Sequence, residues 1–170
     1  MCTLLVLMAI TPVHAAVDSC MVGRWKPDQA QLKQQFENVS KQRIAKISGQ
    51  VVLILNKNGS GKYQMSNFTM SIAGMTGGPP MTMTLVMNGN SSFNWSAANH
   101  QFVIINNERT AIKTSGSMNM GGMKMPIPSM PISDKQASSG IANGSYTCSG
   151  NKLVFRPKAK DTVLQTWHRT

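Results

Sequence analysis

Beyond Gln50 the chain is a series of short extended segments cut by turn residues, and no second helical period interrupts it. Residues 51–55 are continuously apolar, and Asn58, Gly59, Ser60 and Gly61 turn the chain. Residues 63–72 alternate, with Phe68, Met70 and Ile72 on one face. Two segments, 82–87 and 92–97, flank Asn88, Gly89 and Asn90, which read as a hairpin turn. Further segments follow at 102–105, 110–114, 145–148, 153–156 and 162–169. Strands without crossover helices must pair antiparallel, and so many of them have to hide their edges. The expected fold is mainly β: an antiparallel up-and-down β-barrel with one N-terminal helix, a β-sandwich being the alternative.

The one helix begins after Trp25. Asp28 stands at an N-cap position with Gln31 three residues on. Leu32, Phe36, Val39, Ile44 and Ile47 recur near helical spacing, Glu37 and Lys41 form an i,i+4 pair, and Gly49 ends the run. At the other extreme, residues 115–144 break the strand rhythm with three prolines and several glycines, and read as a long loop inserted in the domain.

With 170 residues the chain suits a single domain. Residues 1–15 read as a secretory signal peptide: the apolar run 1–10 is too short to span a bilayer, Pro12 follows, and Val13 and Ala15 are the small residues before the cut, although no Lys or Arg precedes the run. The mature domain is then 16–170, with no transmembrane segment and a periplasmic or secreted location. Export leaves two cysteines, Cys20 and Cys148, and an even pair in an oxidising compartment is most simply a disulfide. Seventeen basic residues against six acidic ones give a net charge of +11, which suits anionic partners such as an envelope polymer. The basic residues are scattered and aromatics few, so a nucleic-acid role is not expected.

Catalytic patterns are missing from the sequence. His100 and His168 lie far apart, no serine stands in a nucleophile elbow, and the carboxylates are isolated. Methionine is the unusual element. Met81, Met83, Leu85 and Met87 share the parity of one strand face, as do Met70 and Ile72, and read as core or pocket lining. Met118, Met120, Met123 and Met125 fall among Gly121, Gly122, Pro126 and Pro128, where strand burial does not explain them. They read as a lid, or alternatively as thioether ligands for Cu(I) or Ag(I).

Gly23, Arg24 and Trp25 near the mature N-terminus, a helix, a run of antiparallel strands and a last strand ending Trp167, His168 and Arg169 resemble the calycin barrels, the lipocalins and fatty-acid-binding proteins. That resemblance implies that Trp25 packs at the closed end of a barrel against Arg169. It also implies a cavity for a small apolar or amphipathic ligand, here lined by Phe68, Met70, Met83, Met87 and Trp95. In the fatty-acid-binding branch an Arg-x-Tyr on the last strand holds the ligand carboxylate; Gln165 and Trp167 stand there, so that clamp is absent. The expectation is an exported, non-enzymatic binding protein without a cofactor. A Cu(I)-binding protein and an envelope component held to anionic polymer are the alternatives.

Overall fold

A computed structural model describes residues 17–74, 81–131, 143–158 and 165–170. The expected signal peptide and part of the inserted segment, 132–142, lie outside the described residues. Strand β1 (Gly23–Pro27) leads into helix α1 (Gln29–Ser40), followed by β2 (Arg43–Leu55), β3 (Ser60–Ala73), β4 (Met81–Ala98), β5 (Gln101–Met120), β6 (Met123–Pro131), β7 (Gly144–Ser149), β8 (Lys152–Pro157) and β9 (Gln165–Arg169). Every pairing is antiparallel. Each of β1 to β5 pairs with the next, β5 pairs with β7, β7 with β8, β8 with β9, and β9 returns to β1. The sheet is therefore a closed ring, an up-and-down barrel rather than a sandwich.

The ring closes through strands of very unequal length. β1 and β9 have five residues each, whereas β4 and β5 have 18 and 20. The barrel uses the C-terminal half of β2, the N-terminal half of β3, the C-terminal half of β4 and the N-terminal half of β5, as Trp25 opposite Leu53 and Phe102 opposite Gly144 show. Residues 43–50, 66–73, 81–88 and 113–120 of the same strands run on past the ring, and β6 adds to the far side of β5. The β5–β7 seam is the shortest, with only Gln101 and Phe102 in register. It is reinforced where the Ile104 amide donates to Asn143 Oδ1 at 2.7 Å and the Tyr146 amide to the His100 carbonyl at 2.9 Å.

Asp28 caps α1 as its position implies, accepting from the Gln31 amide at 3.0 Å. The reciprocal half of the capping box goes elsewhere. The Asp28 amide donates to the Thr166 carbonyl, and Gln31 Oε1 accepts from the Thr166 amide at 3.0 Å, tying the helix start to β9. The helix stops earlier than its apolar spacing implies. Lys41 takes a left-handed conformation (φ 56°), and Ile44 and Ile47 belong to β2. A bulge between Ile44 and Lys46 puts both isoleucines on the same strand face, opposite Ile72 and Met70. One extra residue in a strand thus reproduces a three-residue spacing that looks helical. Glu37 does not pair with Lys41; its Oε1 accepts from the Ile44 amide at 2.9 Å and lies 4.0 Å from Lys33 Nζ.

Two further expectations are corrected. Asn88, Gly89 and Asn90 are no hairpin turn but the middle of β4, where a side chain on Gly89 would run into the Ala111 carbonyl of β5. Close approach between strands, rather than chain reversal, explains that glycine. Likewise the segment from Ser115 is not an irregular loop as far as it is described: it completes β5, turns at Gly121 (φ 56°) and Gly122 (φ 87°), and returns as β6 to Pro131. Positive φ at both turn residues is the geometry whose twist suits a two-residue hairpin. The prolines lie on an edge strand, where a missing amide costs no ladder bond and discourages pairing with another chain.

Cys20 and Cys148 form a disulfide across 128 residues of sequence. Closing so long a loop restricts the unfolded chain strongly. Replacing both cysteines by serine should lower the unfolding free energy in urea by about 2–5 kcal/mol; a loss within error of zero would show that the polar contacts around Cys20 hold this end unaided.

Candidate functional site

One end of the barrel is plugged. Trp25 is fully buried and donates its indole N–H to the Met21 carbonyl at 2.8 Å. The Arg169 guanidinium lies 4.3 Å above the Trp25 ring and donates to the carbonyls of Val22 (2.8 Å), Cys20 (2.6 Å) and Gly150 (3.3 Å). Trp25 and Arg169 are also direct partners across the β1–β9 ladder. Gly23 makes the contact possible: at φ 148°, a Cβ there would stand 2.6 Å from Arg169 Nη1. The expected Trp25–Arg169 pairing is thus realised, and the disulfide ties its carbonyl acceptors to β7.

Above the plug the interior is packed with rings. Trp95 and Phe102 stand 6.0 Å apart, Phe102 and Phe155 4.9 Å, and Tyr63 meets Trp167 edge-on at 6.2 Å. Trp95 belongs to this packing, its indole donating to the Ser60 carbonyl at 2.9 Å. It belongs to the same buried cluster as Phe68, Met70 and Met87, with Met83 packed against that cluster. Tyr146 donates to Asp18 Oδ2 at 2.7 Å. Ser91, also buried on the inward face, meets the Thr110 hydroxyl at 3.1 Å, but two other polar groups of the lining are unmet. Gln165 faces inward beside its ladder partner Phe155, 5 % exposed, and among the described residues neither its Nε2 nor its Oε1 has a hydrogen-bond partner; the Trp167 indole N–H has none either. Leaving a buried donor or acceptor unmet costs about 1–3 kcal/mol, so native proteins rarely do so without a water or ligand to satisfy it.

The second feature is the inner face of the strand extension. Residues directly opposite in an antiparallel ladder point to the same side. Phe68 lies opposite Met87, Met70 opposite Leu85, and Ile72 opposite Met83, so Phe68, Met70, Met83 and Met87 share one face as expected. The row continues: Met83 is opposite Met118, and Met118 opposite Met125. In the next row Met81 is opposite Met120, and Met120 opposite Met123. Leu85, Gly116 and Ile127 form another row, and Met87, Thr114 and Met130 another. With Met65, opposite Gly89 on the inward side, all ten methionines of β3 to β6 lie on one face. The methionines of the supposed loop and those of the strands are a single population.

Burial falls steadily across that face. Helix α1 covers its β2–β3 side, Phe36 standing 6.0 Å from Phe68, and Phe68, Met70 and Ile72 are buried. Met83, Met118 and Met120 are half-buried, and on β6 Met125, Met130 and Met123 are 41 %, 54 % and 67 % exposed. Burying a methionine side chain stabilises by about 1.5–3 kcal/mol, which these three forgo. An exposed apolar surface of this extent marks an interaction site more often than chance. Met130 and Ile127 are the members the sequence reading missed. Ile127 follows from the Gly121–Gly122 turn by parity alone, whereas Met130 reaches the same face only through the bulge that separates it from Ile127. The outer face carries Thr82, Asn119 and Lys124 in one row.

Among the described residues no three His, Cys, Asp or Glu side chains gather as a metal would require, and no helix is long and apolar enough to cross a membrane. No family model, curated protein or solved structure matches the chain.

Burial raises the Tyr63 phenol well above its ordinary value, and burial, then the hydrogen bond and charge of Asp18, do the same for Tyr146. The folded state holds these protons more tightly than the unfolded chain. The stability they contribute is complete below the unfolded tyrosine value of about 10 and is lost as pH rises above it. Urea midpoints should therefore fall between pH 9 and 11, roughly as the unfolded phenols ionise, and Tyr63→Phe should flatten that fall; an unchanged slope in the variant would contradict the assignment.

Proposed function

We propose that the chain is an exported, non-enzymatic barrel of the calycin type that binds a small amphipathic molecule. What carries the reading is the pair of polar groups, Gln165 and Trp167, that have no partner among the described residues inside a mainly apolar barrel. A carboxamide and an indole N–H offer two kinds of donor and one acceptor without a charge, so the fitting head group is neutral: a hydroxyl, an amide or a protonated acid. This replaces the charged clamp of the fatty-acid-binding branch, whose position these two residues occupy. The apolar part of the ligand would run along Phe68, Met70, Met83 and Met87, whose flexible side chains adapt to irregular shapes. The Trp25–Arg169 plug supports the calycin reading, and the Cys20–Cys148 disulfide supports an oxidising compartment.

The test sets stability against binding. Gln165→Leu removes a buried group that has no partner, so the ligand-free variant should be as stable as the parent or more stable by about 1 kcal/mol. The same variant should lose affinity, about tenfold, for long-chain alcohols and amides in thermal-shift and native mass-spectrometric screens. A destabilised variant, or undiminished binding of such molecules, would count against the reading.

A further inference from the structure

We propose that the tip of the β4–β5–β6 sheet is a thioether site for a soft monovalent metal ion, Cu(I) or Ag(I). The site consists of two rows of three methionines, Met83, Met118 and Met125 in one and Met81, Met120 and Met123 in the other. Each row crosses three adjacent strands. Neighbouring strands lie about 4.8 Å apart and opposed Cβ atoms about 5 Å apart, a separation that three rotatable bonds per side chain readily close around a shared ion. Each row thus supplies a three-sulfur set, and the two rows take up to two ions per chain.

The choice of residue argues for sulfur rather than for mere apolarity. The barrel interior uses the usual strand-forming residues, among them Val51, Leu53, Tyr63, Phe93, Trp95 and Phe102. At the tip all six inward positions of the two rows are methionine, a residue without special preference for strands. Packing alone does not account for them, since Met123 and Met125 are 67 % and 41 % exposed. Among the described residues, a Cβ on Gly121 or Gly122 would touch nothing within 4 Å, so no described side chain crowds the turn beside the rows.

The chemistry selects the metal. Thioethers are neutral and soft, lose no proton on binding and favour Cu(I) over zinc or the hard cations. Carboxylates and imidazoles do not gather in threes among the described residues, so nothing there competes for hard ions. In the compartment where Cys20 and Cys148 form a disulfide, a free thiolate pair would oxidise to the same bond, whereas methionine remains a ligand. Lys124 does not oppose the charge at close range, because it stands in the outer row with Asn119 and Thr82. The site shares Met83 with the apolar lining of the amphipathic-ligand reading but makes no use of Gln165, so Gln165→Leu should leave metal binding unchanged.

Anaerobic Cu(I) titration against a chromophoric chelator tests the proposal. Replacing all six methionines by leucine, which conserves volume, should weaken binding at least about tenfold, while Zn(II) should not bind. Met83→Leu alone should weaken it measurably, because Met83 lies outside the β5–β6 hairpin; Met65→Leu should not. Unchanged affinity in a six-leucine variant that retains its near-ultraviolet circular dichroism would overturn the site. Should that variant not fold, Ag(I) added to the parent protein must shift the methionine methyl resonances of the two rows and spare Met21 and Met65. Shifts confined to other methionines, or none, would overturn it equally.

Discussion

A ring of strands closes only over the length that its shortest members share. Here β1 and β9, at five residues each, set that length, while β4 and β5 run to 18 and 20. The surplus of β2 to β5 must project beyond the barrel as an open sheet with an inner face to cover. Helix α1 covers the side nearest to it, through Phe36 against Phe68 and through Glu37 on the Ile44 amide. Strand β6 widens the other side instead of covering it. The exposed methionine face is thus a direct result of unequal strand lengths.

At the opposite end the same ring is held shut. Arg169 binds three carbonyls and stacks on Trp25, and Gly23 leaves the space it needs. A charged group in this position is favourable because its donors are met and its flat face lies on an aromatic ring. The disulfide carries the constraint from Cys20 to β7, and the Tyr146 hydroxyl carries it to Asp18. One end is therefore rigid and cross-linked, and the other is open, flexible in its side chains and rich in sulfur.

Much of this was legible in the residues, and the failures share a cause. Alternation in 63–72, the Asp28 cap, the cysteine pair and the Trp25–Arg169 partnership all pointed to the barrel that is found. What misled was the bulge. Between Ile44 and Ile47 it imitated a helical period. Between Met65 and Phe68, and again between Ile127 and Met130, it broke the two-residue period by which one face is followed along a strand. Gly121 and Gly122 looked like an interruption because a tight turn between strands and a long irregular loop use the same residue. Gln165 as a buried amide without a partner could not be foreseen, since satisfaction of a polar group depends on neighbours distant in sequence.

The central claim is that β6 returns along β5 in a register that puts its methionines on the face already occupied by those of β3 and β4. Limited oxidation with dilute peroxide, read residue by residue in a mass spectrometer, reports the exposure of each thioether. Met123, Met125 and Met130 should be oxidised first, Met118 and Met120 more slowly, and Met21, Met70 and Met87 last. Uniformly fast oxidation from Met118 to Met130, as an unpaired loop would give, would contradict the account.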